Sequence, residues 1–280
     1  MRDNIAPKTG SIIMSDEQDD SRGPLYFEEV EPGIGVATMN RPEKLNAINP
    51  AMIDAFEELY DRLTHHPSVR VLVLTGAGRG FCSGADLTAV VNPEAREVLS
   101  SAEGFLFKAQ ERFSNLVLGL RRLPQPVIAA VNGPAAGGGF ALALGSDIRL
   151  AAPEAYFVAS FINIGLSAGE MGSSYLLPRL VGMSRASEIL FTGRKAPAEE
   201  AEKIGLVNRI VPNDRLMTEA LDLARIMLGK SRGGLLFTKS ALNQNAAAPS
   251  LEAAVELENR NQTILAVSSE FFKQVSAFGK

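Results

Sequence analysis

An α/β domain is the fold class that the sequence predicts, on three observations. Residues 69–75 and 127–131 are short continuous apolar runs, the pattern of strands buried on both faces. Each is followed by a glycine-rich turn, and each turn leads toward a stretch with helical spacing. Strand and helix then keep alternating as far as residue 211, the signature of an α/β layer structure.

The elements follow in order. Residues 1–23 have no longer apolar stretch than the short one at Ile12 and Ile13 before the acidic Asp16, Glu17, Asp19 and Asp20, and lack the long apolar run of a secretory signal. They read as a disordered tail or a vector-derived segment, with Met14 as an alternative start. Residues 26–30 and 35–39 are strand-like and flank the turn Glu31-Pro32-Gly33, which predicts a hairpin. Pro50 suits a first helical turn, and Met52, Ile53, Phe56, Leu59, Tyr60 and Leu63 continue at helical spacing to His66. After the strand at 69–75, residues 76–92 read as loop and 103–123 as one amphipathic helix, ended by Pro124 and Pro126. A helix is expected from Phe140, strands at 147–152 and 156–158, and helices at 171–180, 184–190 and 198–204. Residues 206–211 are extended. The pattern divides the chain into an α/β core, 24–212, and a helical C-terminal region, 213–280, suited to contacts between copies.

Apolar residues at 46% and charged residues at 21% are ordinary for a globular protein, which excludes a disordered or fibrous chain. A net charge of −4 offers no electrostatic footprint for nucleic acid, and no apolar stretch reaches the length of a membrane span. Cys82 is the only cysteine, so no intramolecular disulfide can form; a reducing compartment, the cytoplasm, is the expectation.

Two loops concentrate the chemistry: Thr75-Gly-Ala-Gly-Arg-Gly-Phe-Cys-Ser-Gly-Ala-Asp86 and Val131-Asn-Gly-Pro-Ala-Ala-Gly-Gly-Gly-Phe140. Glycine lets backbone N–H groups approach a ligand closely, and a helix beginning after the triple glycine adds its own unpaired N–H groups. Neither loop has the Gly-x-Gly-x-x-Gly spacing or a Walker lysine, so dinucleotide and P-loop readings fall away. With these loops, the segments Asn40-Arg-Pro-Glu-Lys-Leu-Asn-Ala-Ile48, Ser146-Asp-Ile-Arg-Leu-Ala-Ala152, Leu177-Pro-Arg-Leu-Val-Gly182 and Ala201-Glu-Lys-Ile-Gly-Leu-Val207 stand in one order over residues 25–280. In that set the chain resembles the enoyl-CoA hydratase/isomerase, or crotonase, superfamily.

The resemblance implies a spiral of ββα units, a C-terminal helical region used for trimerisation, and a homotrimer or dimer of trimers. It implies a coenzyme A thioester as substrate and no metal or redox cofactor. By position, the donors to the thioester oxygen fall on the N–H groups of Ala85 and Gly138, and Ala85, Asp86, Leu87 and Thr88 would lie along the coenzyme A. The two glutamates of the family's hydratases fall on Ala141 and Phe161, which cannot move a proton. Glu170, in Gly165-Leu-Ser-Ala-Gly-Glu-Met-Gly172, stands near the aspartate of a dienoyl-CoA isomerase version of this segment, which makes it the candidate acid/base in an apolar pocket around Phe161 and Met171. Its bland alternative is a glutamate at the N-terminus of the helix expected at 171–180.

The functional expectation is an acyl-CoA-processing enzyme, isomerase or lyase, that stabilises a thioester enolate. The alternative is a non-catalytic acyl-CoA-binding homologue without the standard glutamates. Other tempting residues read as structural. His65 and His66 form a solvated helix end, Cys82 a small packed side chain, Asp86 and Asp147 loop and strand caps, and Glu103 and Glu111 exposed positions. Lys273, Phe278 and Lys280 belong either to a ligand contact or to a mobile tail.

Overall fold

The computed structural model describes residues 22–65, 68–90 and 101–278; residues 1–21 of the N-terminal segment lie outside it. Strand β1 (Leu25–Glu31) pairs antiparallel with β2 (Ile34–Met39), as the Pro32-Gly33 turn predicts. Helix α1 (Pro50–His65) begins where the Asn49 side chain accepts from the N–H of Met52 at 2.9 Å, an N-cap bond. It buries Met52, Ile53, Phe56, Leu59 and Leu63, the stripe visible in the sequence.

From β2 onward the large sheet is parallel, in the order β1-β2-β3-β4-β6-β9, with β3 Val71–Gly76, β4 Val127–Val131, β6 Ile148–Ala151 and β9 Arg209–Ile210. Alternate residues of β3 point to opposite faces: Leu72 and Leu74 join one core with Phe56, Phe81 and Phe140, while Val71 and Val73 join another with Ile128 and Leu150. Both faces are covered, so β3 and β4 are buried throughout, and their apolar residues carry no alternation.

A second sheet, in the order β5-β7-β8, is made of the short strands Ala135–Ala136, Tyr156–Val158 and Ala196–Pro197, and a parallel bridge between Cys82 and Ala135 extends it. The architecture is thus a repeated unit: one strand of the large sheet, one short strand or bridge of the small sheet, then helix. Strand β3, the Cys82 bridge and α2 (Glu111–Arg122) make one such unit; β4, β5 and α3 (Gly138–Gly145) make the next; β6, β7 and α4 (Ser173–Val181) the third. Helices α5 (Met183–Thr192) and α6 (Ala198–Lys203) follow, and α7 (Asn213–Leu228) lays Leu216, Ala220, Leu221 and Ala224 on the second core. Helices α8 (Arg232–Asn245), α9 (Leu251–Ala266) and α10 (Ser269–Phe278) complete the chain.

Several expectations change: residues 76–92, expected as loop, contain a helical turn, Leu87–Val90, and the helix expected from Phe140 begins at Gly138. The helix expected from residue 171 begins at Ser173, because Met171 (φ 48°) and Gly172 (φ 82°) are both left-handed. The helix expected over 103–123 is interrupted: the turn Ala102–Phe105 passes into a π-helical run, Leu106–Gln110, before α2. No helix among the described residues is long and apolar enough to cross a membrane.

Candidate active site

The first glycine loop is pinned from two sides. The buried Asn46 donates to the carbonyls of Ala77 (2.9 Å) and Gly80 (2.8 Å) and accepts from the N–H of Arg41 (2.8 Å). Asn132, from the second loop, donates to the carbonyls of Gly76 and Gly78, each at 2.8 Å. The loop then runs beside Ile48, whose N–H donates to Gly84 (2.7 Å) and whose carbonyl accepts from Asp86 (2.9 Å). In the second loop the N–H of Ala136 donates to Cys82 (2.9 Å) and that of Gly137 to Val158 (3.0 Å). These bonds leave the N–H groups of Ala85 and Gly138 with no hydrogen-bond partner among the described residues. Gly138 is also the first residue of α3, where helix geometry supplies no intrahelical acceptor.

The loops touch. A Cβ on Gly84, whose φ is +94°, would stand 2.9 Å from the Ala136 carbonyl and 3.1 Å from the Gly138 nitrogen; a Cβ on Gly139 would stand 2.1 Å from the Cys82 carbonyl. Only glycine permits this approach. Around it lies a mostly apolar rim, with the Ser160 hydroxyl 2.9 Å from where a Cβ on Gly137 would be. Ile48 Cδ1 is 3.0 Å and Met171 Sδ 3.5 Å from where a Cβ on Gly138 would be, and Phe161 Cε1 is 3.7 Å from the same point on Gly137. Ala141, one turn into α3, is fully buried.

Asp86 is nearly buried, paired with Arg41 at 2.8 Å, and accepts from both the hydroxyl (2.6 Å) and the N–H (3.2 Å) of Thr88. The Thr88 hydroxyl and then the Arg41 guanidinium hold its carboxyl below the usual aspartate range, against the opposing effect of burial. It thus caps the helical turn Leu87–Val90, while Leu87 and Thr88 themselves are exposed. Glu170 precedes Met171 in the turn closed by the Ser173 N–H on the Glu170 carbonyl (2.8 Å), three residues ahead of the start of α4 rather than within it. Its side chain is half-buried, and Oε1 accepts from Gln110 Nε2 at 2.5 Å.

The remaining candidates separate from this centre. Cys82 is buried, which pushes its thiol up to about 12 and leaves it unreactive at neutral pH. His65 is exposed beside Asp61, Glu103, Glu111 and Lys273 are exposed, and His66 and Lys280 lie outside the described residues. Asp147 sits at the head of β6, accepting from the N–H of Val127 (2.8 Å) and pairing with Arg121 (3.1 Å) and Lys239 (2.9 Å). Among the described residues no three His, Cys, Asp or Glu side chains form a group that could hold a metal ion. Residue-by-residue reading overlooked Gln110 and Arg41; only the complementary charges of Arg41 and Asp86, 45 positions apart, hinted at one of them.

Parallel ββα units wound so that two glycine loops meet at the start of a buried helix define a crotonase-type protein. The chain matches the enoyl-CoA hydratase/isomerase family over residues 29–279, and it belongs to that family of acyl-CoA enzymes. It is 46% identical over 248 residues to a probable enoyl-CoA hydratase of Mycobacterium leprae, covering 88% of this chain and 83% of that one. It is 37% identical to the 1,2-epoxyphenylacetyl-CoA isomerase of Escherichia coli, covering 91% and 95%. A crystal structure of a probable enoyl-CoA hydratase/isomerase from Mycobacterium abscessus superposes with a TM-score of 0.82 at 38% identity, covering 91% of this chain and 94% of the other.

Proposed function

We propose that the protein binds an acyl-CoA, holds the thioester oxygen on the N–H groups of Ala85 and Gly138, and uses Glu170 to move a proton along the acyl chain. The observation that supports this most directly is the pair of N–H groups without a partner among the described residues, on loops in contact, one of them at the N-terminus of a fully buried helix. Negative charge that develops on a thioester oxygen when its α-proton leaves is stabilised there by two preorganised donors and the positive end of the helix. One such donor is worth about 3–4 kcal/mol of barrier. Asp86, Leu87 and Thr88 lead away from Ala85 and would follow the pantetheine.

For a 3-enoyl thioester, the carboxylate of Glu170 takes the C2 proton, the C–H electron pair becomes a dienolate shared by the thioester oxygen, C2 and C4, and the proton returns at C4 as the double bond moves to C2–C3. The product is the 2-enoyl thioester and Glu170 is regenerated, so the balance needs no co-reactant. Ala141 and Phe161 stand where the resemblance places the hydratase glutamates. Isomerisation by one carboxylate is therefore the better fit. Coenzyme A enters as part of the substrate.

The test is conversion of trans-3-hexenoyl-CoA to the 2-enoyl isomer, with α-proton exchange into D2O as a second readout. Glu170→Gln is expected to lower kcat at least about 100-fold, within the range general-base groups supply, with KM little changed. Unaltered turnover in that variant sinks Glu170 as the base. Tight binding with neither isomerisation nor exchange in the unmodified protein would instead identify a non-catalytic acyl-CoA binder.

A further inference from the structure

Gln110 is placed by an irregularity. Residues 102–122 have the composition of a continuous amphipathic helix, yet the run Leu106–Gln110 is π-helical, while α2 resumes at Glu111. A π turn takes in one residue beyond the α-helical count, and since each α-helical residue turns the chain by about 100°, everything after it is rotated relative to an uninterrupted helix. Such turns are rare, interrupt the regular hydrogen-bond ladder, and are frequent at functional sites. This one ends on Gln110, and Gln110 Nε2 donates to Glu170 Oε1. The next residue, Glu111, is exposed.

Among the described residues, the amide of Gln110 is the only partner of the Glu170 carboxylate. The two residues are 60 positions apart and come from different ββα units. The terminal torsion of a glutamate is broad and close to two-fold, so an unheld carboxylate samples a wide range of orientations. One donor on Oε1 fixes that torsion and leaves Oε2 free. The donor is neutral, so it orients the carboxylate without turning it into an ion pair.

We infer that Gln110 is a positioning residue for the proton-transfer step, setting the direction of Glu170 Oε2. The inference rests on the reading of Glu170 as the base. Misplacement of a catalytic group by about 1 Å can cost on the order of 100-fold in rate, which sets the size of effect to look for.

Gln110→Met keeps the length and volume of the side chain and removes the donor. With trans-3-hexenoyl-CoA the expected result is a kcat lower by about 10- to 100-fold, KM within about twofold, and α-proton exchange slowed in parallel. The decisive comparison is the double variant. If Gln110 acts through Glu170, adding Gln110→Met to Glu170→Gln leaves the residual rate unchanged, because the group being positioned is already gone. Gln110→Ala, read in the same way, serves if the methionine variant fails to fold by circular dichroism. A fully active Gln110→Met protein alongside an inactive Glu170→Gln protein overturns the positioning role while leaving the base in place. Effects that multiply in the double variant overturn it as well. Full activity of Glu170→Gln removes the base, and the inference with it.

Discussion

A carboxylate that is bonded in the folded chain and free in the unfolded one makes stability depend on pH, and Asp86 is placed to do this. Its folded pKa lies below the usual aspartate value of 3.8, first through the Thr88 hydroxyl and then through Arg41. Just below that value the unfolded chain binds more protons than the folded one. The contribution is therefore fully present above pH 3.8 and is lost as pH falls through the lowered folded value. Asp86→Asn should flatten the pH dependence of unfolding below about pH 4, read as urea midpoints from pH 5 down to pH 3 and compared with the unmodified chain. Equal slopes would remove Asp86 from the acid response. The glycines allow a second prediction at this scale. Gly84→Ala puts a Cβ at φ +94° and 2.9 Å from the Ala136 carbonyl, which should cost at least about 1–3 kcal/mol in backbone strain alone. It should also separate Ala85 from Gly138, so thermal melting and acyl-CoA binding, measured together, should both fall. A variant that loses neither would show that the loops tolerate a wider gap.

Helix α3 shows how an element serves the site. All eight of its residues are buried; the Gly138 N–H at its start is left open to the site, and its far end is satisfied by protein groups. At the far end the buried Arg149 donates to the carbonyls of Ser146 (2.6 Å) and Ala143 (3.3 Å), and through Nε to Leu206 (2.8 Å). Burial lowers its pKa to about 10, so the guanidinium stays charged at neutral pH, where a cation suits a helix C-terminus. Arg149→Leu would strand the carbonyls of Ser146 and Leu206, while Ala143 keeps the Ser146 N–H; at about 1–3 kcal/mol for each carbonyl left unpaired in the interior, chemical denaturation should register a loss of several kcal/mol. A loss under about 1 kcal/mol would mean that water replaces the guanidinium.

The helix and both glycine loops are legible in the sequence because their signals are local: an apolar run, a cluster of glycines, then more apolar residues. The two-residue strands β5 and β8 have no such signal, since they exist only through the partner β7. The π run and the Gln110–Glu170 bond are unreadable for the same reason. The bond joins residues 60 positions apart, and nothing in the spacing of residues 102–122 announces the π run.

At the scale of the whole molecule, the C-terminal helices are fastened to the core and yet left uncovered. Lys239 of α8 is 5% exposed and donates to the carbonyls of Leu120 (3.0 Å) and Gln125 (2.8 Å) while pairing with Asp147. Asn243 donates to the carbonyl of Arg121 (2.9 Å). Beyond this anchor the apolar residues turn outward: α9 buries none of its residues, and Leu251, Val267 and Phe272 are 75%, 77% and 60% exposed. Fully burying one such side chain is worth about 1.5–3 kcal/mol, so a row of them is a strong drive to associate. We propose that other copies of the chain cover this face, in the trimer or dimer of trimers that the family resemblance implies. Sedimentation of the purified protein should then give three or six times the 29.9 kDa of one chain. A Val267→Glu, Phe272→Glu double variant should shift the distribution toward single chains, because each carboxylate would have to be desolvated in the contact. The anchor at Lys239 is untouched by these changes, so circular dichroism should be preserved and the loss would belong to the contact. A wild-type protein that sediments as one chain would leave the exposed face without a partner of its own kind and end the proposal.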